Sequence, residues 1–411
     1  MRLTILTQYY PPEIGAPQRR LSDLARRLVE AGYEVTVLTA MPNYPTGKIH
    51  AGYGGIFKRE QIDGVNVIRT FIYPTQKASL LHRLTNYFSF VLSSALIGTF
   101  RLPRTDLLLV ESPPLFLGFT GYWLSRIKRA RLIFNVSDLW PESAVRLDML
   151  TEDSRAYKLA AWLEKFCYEK SWLITGQSKS ILADIAARFP ACATFHLSNG
   201  VDVQNFGADQ RMAQAEASIN AGVPDRSEKT VIMYAGLHGL AQGLAQVLDA
   251  AADLQARDAA CHFVLIGAGP EKQDLVNDAQ TRGLTNITFL DPRPASEIPA
   301  LLACADILLV PLKMYIPGAV PSKLYEAMAS EKPVILVAQG EAADIVHQHE
   351  SGIVVEPGDI AGLVRAITSL HEDENLRAQM GQKGRAAAET HYNRAAIASS
   401  FAAYLEAHTG L

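Results

Sequence analysis

Short apolar runs alternate with amphipathic stretches along the whole chain, and this alternation predicts strands and helices in turn. In the first half, the apolar runs predict strands at residues 3–7, 34–39, 65–71, 107–111, 132–136 and 173–176. Apolar positions at helical spacing predict helices between them at residues 19–31, 80–100, 115–128 and 154–169. Strands that alternate with helices indicate a mostly parallel sheet covered on both faces.

The second half of the chain repeats this pattern with a separate set of elements. Its strands are predicted at residues 231–234, 262–266, 287–289, 307–310, 334–337 and 353–355. A turn-rich segment at 198–202 and a polar segment at 207–229 separate the two halves. We therefore predict an α/β protein with two doubly wound, Rossmann-like domains, residues 1–204 and 205–390. Ligands are expected in a cleft at the carboxyl ends of the two sheets.

The segment after the strand at 307–310 has the features of a nucleotide-diphosphate site. Prolines lead the chain into a helix whose first amides have no internal partner, and these amides and the helix dipole attract phosphate. Lys323 adds a full positive charge in the first turn, and Glu326 lies one turn further on the same face, where it suits a ribose diol. Four residues of the helix entry are also predicted to contact the donor: Gly318, Ala319, Val320 and Ser322.

A glycine-rich segment, YAGLHGLAQGL at residues 234–244, follows the first strand of the second half. Glycines in a strand-to-helix turn let backbone amides approach a phosphate closely, although a tight turn needed only for packing would look the same. Combined with the lysine-bearing helix, the pattern favours phosphate binding at Gly239. Of the ten histidines, only His238 is predicted to lie near the phosphates.

These segments resemble the C-terminal signature of the family-4 glycosyltransferases, which have the GT-B fold, and the similarity runs from the first strand to the last helix. Within that family the chain is similar to bacterial enzymes that build O-antigen and capsule repeats, including the L-fucosamine transferase subgroup. The resemblance implies an interdomain cleft and a final helix, residues 391–411, that crosses back to the N-terminal domain.

The resemblance adds further donor-site candidates. The segment IGAGPE at 266–271 is similar to a strand-end Gly-x-Gly-Pro of the family, which implies that Gly267 lies near the nucleotide. The segment at 289–293 matches the region that brackets the base, so Arg293 is a candidate, with a structural loop as the alternative. In the loop after the first strand, Gly15 matches a glycine that lets the backbone approach donor and acceptor.

Acceptor-site candidates come from two segments of the N-terminal domain. In NVSDLWPE at 135–142, Asp138 and Glu142 carry the carboxylates; many relatives have a His-Asp pair here, so no histidine role carries over. Asp138 is predicted to bind acceptor hydroxyls or assist proton transfer, or else to cap the following helix. The segment MPNYPTGK at 41–48 matches the subgroup and places Asn43 and Tyr44 in the acceptor wall.

The chain departs from the wider family at two places. Many members carry an arginine and a lysine in the glycine-rich loop, where this chain has Leu237 and Gln242. The phosphate charge would then rest on Lys323 and on backbone amides. Many members also have a sugar-contacting glutamate at the position of Gly318. The similar subgroup shares this substitution, which implies a different donor sugar rather than an inactive enzyme.

The formal net charge of −3 conceals a split between the halves. Residues 1–204 hold 24 Lys and Arg against 17 Asp and Glu, whereas residues 205–411 hold 15 against 25. The basic half either meets anionic lipid headgroups or is an unevenly charged solvated surface. Nucleic acid is disfavoured because the basic residues are not interleaved with aromatics. The apolar helix at 80–100, flanked by Arg101 and Arg104, either rests on a membrane or lies buried in the domain.

Localisation and activity follow from these points. Four scattered cysteines and the lack of a visible leader predict a protein of the reducing cytoplasm, peripheral at the inner face of the membrane. The resemblance implies a retaining, metal-independent transferase without a cofactor, with Lys323 and Asp138 as catalytic residues. It would move a sugar such as N-acetyl-L-fucosamine from a UDP-sugar to an undecaprenyl-diphosphate-linked saccharide. The alternatives are a sugar-nucleotide 2-epimerase of the same fold and a non-catalytic nucleotide-sugar-binding subunit.

Overall fold

A computed structural model describes residues 1–13, 15–44, 46–75, 80–146, 150–206 and 228–410. The chain forms two compact units, one of residues 1–199 together with 394–411 and the other of residues 200–393. The sequence placed these divisions at residues 204 and 391. Of the polar segment predicted at 207–229, residues 207–227 lie outside the described residues.

The N-terminal unit is built on an eight-stranded sheet in the order β3-β4-β2-β1-β5-β6-β7-β8. Only β3 is antiparallel to its neighbour. The strands are β1 (Arg2–Leu6), β2 (Glu34–Ala40), β3 (Phe57–Ile62), β4 (Val65–Thr70), β5 (Leu107–Ser112), β6 (Arg131–Val136), β7 (Leu173–Gly176) and β8 (Thr194–His196).

In the described part of this unit, six helices connect the strands, and a seventh returns from the end of the chain. They are α1 (Ala16–Glu30), α2 (Leu80–Arg101), α3 (Leu117–Lys128), α4 (Glu142–Arg146), α5 (Arg155–Lys170), α6 (Lys179–Arg188) and α14 (Arg394–Thr409). The final helix packs within the unit: the Phe401 ring lies 5.4 Å from that of Phe195, and the Tyr33 hydroxyl donates to Ala402 O at 3.2 Å.

The C-terminal unit has a six-stranded parallel sheet in the order β11-β10-β9-β12-β13-β14. Its strands are β9 (Thr230–Ala235), β10 (Cys261–Ile266), β11 (Ile287–Leu290), β12 (Ile307–Pro311), β13 (Val334–Val337) and β14 (Gly352–Val355). The helices are α7 (Ala245–Ala256), α8 (Lys272–Thr281), α9 (Ile298–Ala303), α10 (Ser322–Ala329), α11 (Glu341–His349), α12 (Ile360–Glu372) and α13 (Glu374–His391).

Both sheets are covered on two faces, as the sequence predicted. Along β9, Val231 and Met233 pack into one apolar cluster and Ile232 and Tyr234 into another on the opposite face. Strands buried on both sides need apolar residues at every position, which explains why they are continuous apolar runs in the sequence.

The sequence pattern did not predict two strands, β3 and β8. The edge strand β3 reads FKREQI, and each of its residues is exposed or only half-buried. A strand at a sheet edge has little apolar surface to bury and therefore leaves a weak hydrophobic signal. The strand β8 has three residues, which is too few for an alternating pattern to be recognised.

Candidate functional site

The C-terminal sheet changes direction between β9 and β12, which lie side by side although three helices and two strands separate them in sequence. Their pairing is limited to Ile232 with Ile307 and Met233 with Leu308. Beyond this pairing, residues 234–235 of β9 and 309–311 of β12 continue to the carboxyl ends of the two strands. Ligands of doubly wound sheets bind at this kind of topological switch point. Both predicted phosphate-binding segments begin here, one after each strand.

The helix α10 presents Lys323 and Glu326 on its partly exposed face. Pro321 is the N-cap in an extended conformation, so Ser322 is the first helical residue and Lys323 the second. The opposite face is buried in the core through Leu324, Tyr325, Ala327 and Met328. This apolar anchoring fixes the helix rotation and holds the lysine and the carboxylate one turn apart.

The entry to α10 differs from the prediction in one respect. The Ala319 N–H donates to the Ile316 carbonyl at 3.1 Å, so in this conformation that amide is part of a turn and is not available to a ligand. Gly318 has a φ of 76°, a left-handed value that favours glycine, and the Val320 side chain is buried in the core. The backbone around Gly318 is therefore a tight turn that directs the chain into the helix.

The side chain of Lys323 reaches across the glycine-rich loop that follows β9. A Cβ atom at Gly236 would lie 2.0 Å from Lys323 Cε and 2.8 Å from its Nζ. The Nζ is also 5.7 Å from the centre of the buried Tyr234 ring, whose hydroxyl donates to Leu237 O at 2.7 Å. The absence of a side chain at position 236 thus makes room for the lysine, and the two predicted phosphate-binding segments meet at this point.

Gly267 and Gly269 pack directly beneath the same loop. A Cβ at Gly267 would approach Gly236 O to 1.9 Å, and one at Gly269 would approach His238 O to 2.2 Å. Two backbone hydrogen bonds join the segments, from Gly236 N to Ile266 O and from His238 N to Ala268 O, at 2.8 and 2.9 Å. The predicted role of Gly267 near the nucleotide remains a prediction, but its packing role is clear.

The imidazole of His238 is fully buried between the loop and the sheet. In the described part of the chain, neither ring nitrogen makes a hydrogen bond of normal geometry. Burial and the charge of Lys272 lower the pKa of His238 to about 4, an effect that the nearby Ile266 carbonyl partly offsets. His238 is therefore neutral at physiological pH, and its buried ring carries one N–H donor and one acceptor.

The loops after β9 and β12 are tied to each other by their backbones. Lys313 N donates to Ala241 O at 2.9 Å, and the buried Gln246 side chain donates to Leu312 O at 3.1 Å. Gly243, with a φ of 58°, allows this approach, because a Cβ there would lie 2.8 Å from Lys313 Cα. The first departure from the family pattern lies in the loop after β9: Leu237 is exposed, and Gln242 is half-buried.

Arg293 lies outside the contacts that join the glycine-rich loop to the segment after β12. It follows β11, the outermost strand, and is exposed. Two strands, β10 and β9, separate β11 from β12, which precedes the lysine-bearing helix. At the end of β11, Lys272 Nζ donates to Leu290 O at 3.0 Å and to the Asp291 carboxylate at 2.9 Å. The role predicted for Arg293 at the base therefore stays a prediction.

In the N-terminal unit, Asp138 lies beside a buried polar network at the carboxyl ends of β5 and β6. Arg20 donates to Glu111 at 2.5 Å and to Ser137 at 3.0 Å, and Asn135 donates to the second Glu111 oxygen at 2.6 Å. Burial, reinforced by the negative charge of Glu111, raises the pKa of Asp138 to about 6, while Arg20 acts in the opposite direction. A carboxyl group with this pKa can take up or release a proton near neutral pH.

Glu13 is a functional candidate that the sequence interpretation missed. Its buried carboxylate accepts the backbone N–H groups of Asn43 and Tyr44 at 2.8 Å each and that of Tyr10 at 3.2 Å. It therefore joins the loop after β1 to the loop after β2. The only sequence signal was a carboxylate within a proline-rich loop, and its partners lie about thirty residues away.

The remaining N-terminal candidates divide between buried and exposed positions. Asn43 is buried and its side chain donates to Met41 O at 3.0 Å, whereas Tyr44 is exposed and its ring lies 5.8 Å from that of Tyr9. Gly15 precedes α1, and the Gln18 side chain fills the space beside it. Glu142 begins α4 and lies 3.6 Å from Arg188. Tyr44 is thus the acceptor candidate with the most accessible side chain.

The residues that the structure describes contain neither a metal-binding cluster nor a membrane-spanning helix. Among them, no group of three or more His, Cys, Asp and Glu side chains is placed to hold a metal ion. In the same residues, no helix combines the length and the apolar character needed to cross a lipid bilayer.

Both halves of the chain match known families. Residues 15–200 match the glycosyl transferase 4-like domain, and residues 217–387 match the glycosyl transferases group 1 family. The putative colanic acid biosynthesis glycosyl transferase WcaI from Escherichia coli (strain K12) is 27% identical over 379 residues, covering 89% of this chain and 91% of that protein.

Solved structures of low sequence identity share the fold. A sucrose-phosphate synthase from Thermosynechococcus elongatus matches with a TM-score of 0.79 and 18% identity, covering 99% of this chain and 98% of that one. HepE from Anabaena, in complex with UDP, matches with a TM-score of 0.73 and 19% identity, covering 99% and 100%. These matches confirm the predicted GT-B fold, whereas the L-fucosamine subgroup stays a prediction. The chain therefore has the GT-B fold and consists of a glycosyl transferase 4-like domain followed by a glycosyl transferases group 1 domain, homologous to GT-B glycosyltransferases such as WcaI.

Proposed function

We propose that this protein transfers a sugar from a UDP-sugar to a hydroxyl group of a lipid-linked saccharide during the synthesis of a bacterial surface polysaccharide. The observation that carries the proposal is the position of Lys323, whose side chain crosses Gly236 at the topological switch point of the C-terminal sheet. A cation at a helix N-terminus beside a glycine-rich loop suits a diphosphate.

Two relatives support the choice of substrates. HepE, which shares the fold, binds UDP in its solved structure, and this favours UDP as the nucleotide of the donor. The name of WcaI connects it with colanic acid biosynthesis, which favours a saccharide acceptor in polysaccharide assembly. An undecaprenyl-diphosphate carrier and N-acetyl-L-fucosamine as the sugar are the finer parts of the proposal, and they rest on the family resemblance.

The C-terminal unit supplies groups for the departing nucleotide. Lys323 and the N-terminus of α10 stabilise the negative charge that grows on the diphosphate, and Glu326 accepts hydrogen bonds from the ribose hydroxyls. His238, which is neutral and buried beneath the same loop, would reach the donor only after a movement of that loop. Because these groups can neutralise the leaving group, the proposal includes metal-independent transfer without a further cofactor.

The N-terminal unit supplies groups for the acceptor. Asp138, with its pKa raised to about 6, can accept the proton of the attacking hydroxyl or hold that hydroxyl in position. Glu13 fixes the loop that carries Asn43 and Tyr44, and the exposed Tyr44 ring provides a flat apolar face for a sugar. Retention of configuration is part of the proposal and follows from the family resemblance.

A thermal-shift screen against UDP, GDP, ADP and TDP tests the nucleotide assignment first. A ligand at 100 times its Kd should stabilise the protein by about 2.7 kcal/mol, so UDP alone should raise the melting temperature clearly. Lys323→Ala should abolish this shift while the unliganded melting temperature stays unchanged. The matched control is Lys383→Ala, since Lys383 is an exposed lysine paired with Glu350 on another helix. A preference for GDP, or a full UDP shift in Lys323→Ala, would contradict the assignment.

Product analysis with a UDP-sugar separates transfer from the two alternatives of the same fold. A transferase consumes donor rapidly only when the lipid-linked acceptor is present, and it forms a glycosylated lipid. A 2-epimerase would interconvert UDP-sugars without acceptor, and a binding subunit would show the UDP shift without turnover. We expect acceptor-dependent release of UDP.

A further inference from the structure

Two helices of the N-terminal unit carry rows of exposed apolar side chains. On α2, Phe88, Leu92, Leu96 and Phe100 follow one another at intervals of four residues, and Leu92 and Phe100 are 70% and 75% exposed. The other face of this helix is buried through residues such as Phe90. The helix is thus buried along one face and exposed along the other, so it is not a wholly buried helix, and its contact with a membrane stays a prediction.

The helix α3 runs beside α2 and carries a second row: Phe119, Trp123 and Ile127, also spaced by four residues. The two helices are parallel, because successive contacts advance along both in the same direction. These contacts are hydrogen bonds from Thr120 Oγ1 to Val91 O at 2.9 Å, from Trp123 Nε1 to Thr99 Oγ1 at 3.0 Å, and from Lys128 Nζ to Leu102 O at 2.8 Å. The two apolar rows therefore lie side by side.

The helix α5 extends this surface on the far side of α3. Its Trp162 ring lies 6.1 Å from the Phe119 ring and 5.8 Å from that of Phe166, and Trp162 is 53% exposed. Leu159, one turn before Trp162, is also exposed. We refer to the exposed apolar side chains of α2, α3 and α5 as the three-helix surface. An apolar surface of this extent on a folded domain indicates an interaction site.

The charges that border α2 and α3 are positive, whereas α5 carries both signs, with Lys158, Lys165 and Lys170 exposed beside Glu169. Neither α2 nor α3 contains an Asp or Glu, and their adjacent carboxyl ends bring together exposed arginines: Arg101, Arg104, Arg126 and Arg129. The two carboxylates between these helices are taken up inside the unit, since Asp106 pairs with Arg2 at 2.6 Å and Glu111 with Arg20 at 2.5 Å. The apolar rows thus end at a cationic border.

We propose that the three-helix surface docks on an anionic lipid bilayer, with the apolar rows entering the headgroup region and the arginines contacting lipid phosphates. Apolar side chains beside basic ones are the composition of helices that lie in a membrane interface. Trp123 and Trp162 suit this position, because indole rings concentrate at the boundary between headgroups and hydrocarbon. The cationic border decides between a bilayer and a second copy of this chain, since two such borders would repel each other in a symmetric dimer.

Cosedimentation with vesicles tests the proposal on the full chain without any donor or acceptor. We expect binding to vesicles that contain phosphatidylglycerol, weaker binding in high salt, and little binding to phosphatidylcholine alone. The double variant Leu92→Ser with Leu96→Ser should bind about tenfold more weakly, because both side chains are exposed and contribute apolar area to the bilayer. Arg101→Gln with Arg104→Gln should reduce binding to anionic vesicles by about tenfold.

The matched control for the charge variant is Arg257→Gln with Arg365→Gln, which removes two exposed arginines of the C-terminal unit and should leave binding unchanged. Equal losses in the two charge variants would overturn the proposal, as would full binding by the serine variant. A dimer in analytical ultracentrifugation that the serine variant dissociates, without vesicle binding, would assign the surface to a second copy instead. A retained UDP thermal shift in both surface variants keeps this result separate from the test of sugar transfer.

Discussion

The side chain of Lys323 lies across the backbone of Gly236, where a Cβ atom would come within 2.0 Å of Lys323 Cε. These residues follow neighbouring strands on either side of the switch point in the C-terminal sheet. The glycine therefore has a specific consequence for the lysine: any larger residue must displace the cation from its present position.

Gly236→Ala should weaken UDP binding by about tenfold, because the methyl group displaces the Lys323 ammonium from its position for hydrogen bonds to the diphosphate. Hydrogen bonds to charged groups are worth about 1.5–3 kcal/mol each. The fold should tolerate the change, since the obstructing atoms include the flexible end of a lysine side chain. Isothermal titration calorimetry and a thermal melt measure the two effects separately.

Gly267→Ala is the control that distinguishes loss of ligand binding from loss of folding. Its Cβ would meet the backbone oxygen of Gly236 at 1.9 Å, and its φ of 151° is unfavourable for a side chain. We expect a loss of about 3 kcal/mol or more in the free energy of unfolding. If Gly236→Ala destabilised the protein as much as Gly267→Ala, the first glycine would be structural rather than a space for the lysine.

His238→Leu should leave the protein as stable as before or about 1 kcal/mol more stable at neutral pH, since it removes a buried polar ring without a normal hydrogen bond in the described residues. UDP binding should weaken at the same time if the ring N–H serves the ligand. Denaturant unfolding and calorimetry at pH 7.5 provide the test. Lower stability with unchanged UDP affinity would show that His238 only fills space.

The same variant should change the response to acid. The ordinary imidazole pKa of 6.5 applies in the unfolded chain, whereas the folded pKa is about 4. The unfolded state therefore binds a proton first, and stability is lost as the pH falls from about 6.5 towards 4. In His238→Leu, this contribution to acid destabilisation should disappear.

Asp138→Asn should stabilise the protein more at pH 7.5 than at pH 4. Its folded pKa of about 6 exceeds the ordinary 3.8, so the unfolded state releases the proton first and stability falls as the pH rises from about 4 to 6. Because Asp138 is partly exposed, we expect the gain at pH 7.5 to be on the order of 1–2 kcal/mol. Urea unfolding at the two pH values measures it, and an equal effect at both would contradict the raised pKa.

The activity of Asp138→Asn separates its two predicted roles. A proton-accepting role requires the ionised carboxylate, so transfer by the natural protein should rise with pH through about 6 and the variant should lose this dependence. If the variant keeps the full rate at every pH, Asp138 acts only within the polar network around Glu111.

Glu13→Ala should reduce sugar transfer while UDP binding stays unchanged, because Glu13 holds two loops of the N-terminal unit through three backbone N–H groups. The unpaired amides should cost about 2–4 kcal/mol of stability. Glu30→Ala is a matched control at an exposed glutamate of α1. A variant with full activity and a lowered melting temperature would limit Glu13 to a structural role.

The twelve predicted strands and the four predicted helices of the N-terminal half agree with the structure to within about three residues, whereas β3, β8, α4 and α6 were not predicted. Parallel strands buried on two faces are continuous apolar runs, and helices between them show a separate periodicity. The lysine-bearing helix was also predicted locally, since the prolines, Lys323 and Glu326 that define it lie within ten residues. Local chemistry therefore determined the fold class and one part of the candidate site.

The contacts that complete the site were decided by the tertiary structure. Lys323 meets Gly236, and Glu13 meets Asn43 and Tyr44, only because strand order brings together loops that are distant in sequence. The apolar rows of α2 and α3 likewise become one surface only when the helices pack in parallel. Periodicity shows which face of an element is apolar. Which neighbour covers that face depends on the free energy of packing the whole domain, and this packing free energy has no local signal in the sequence.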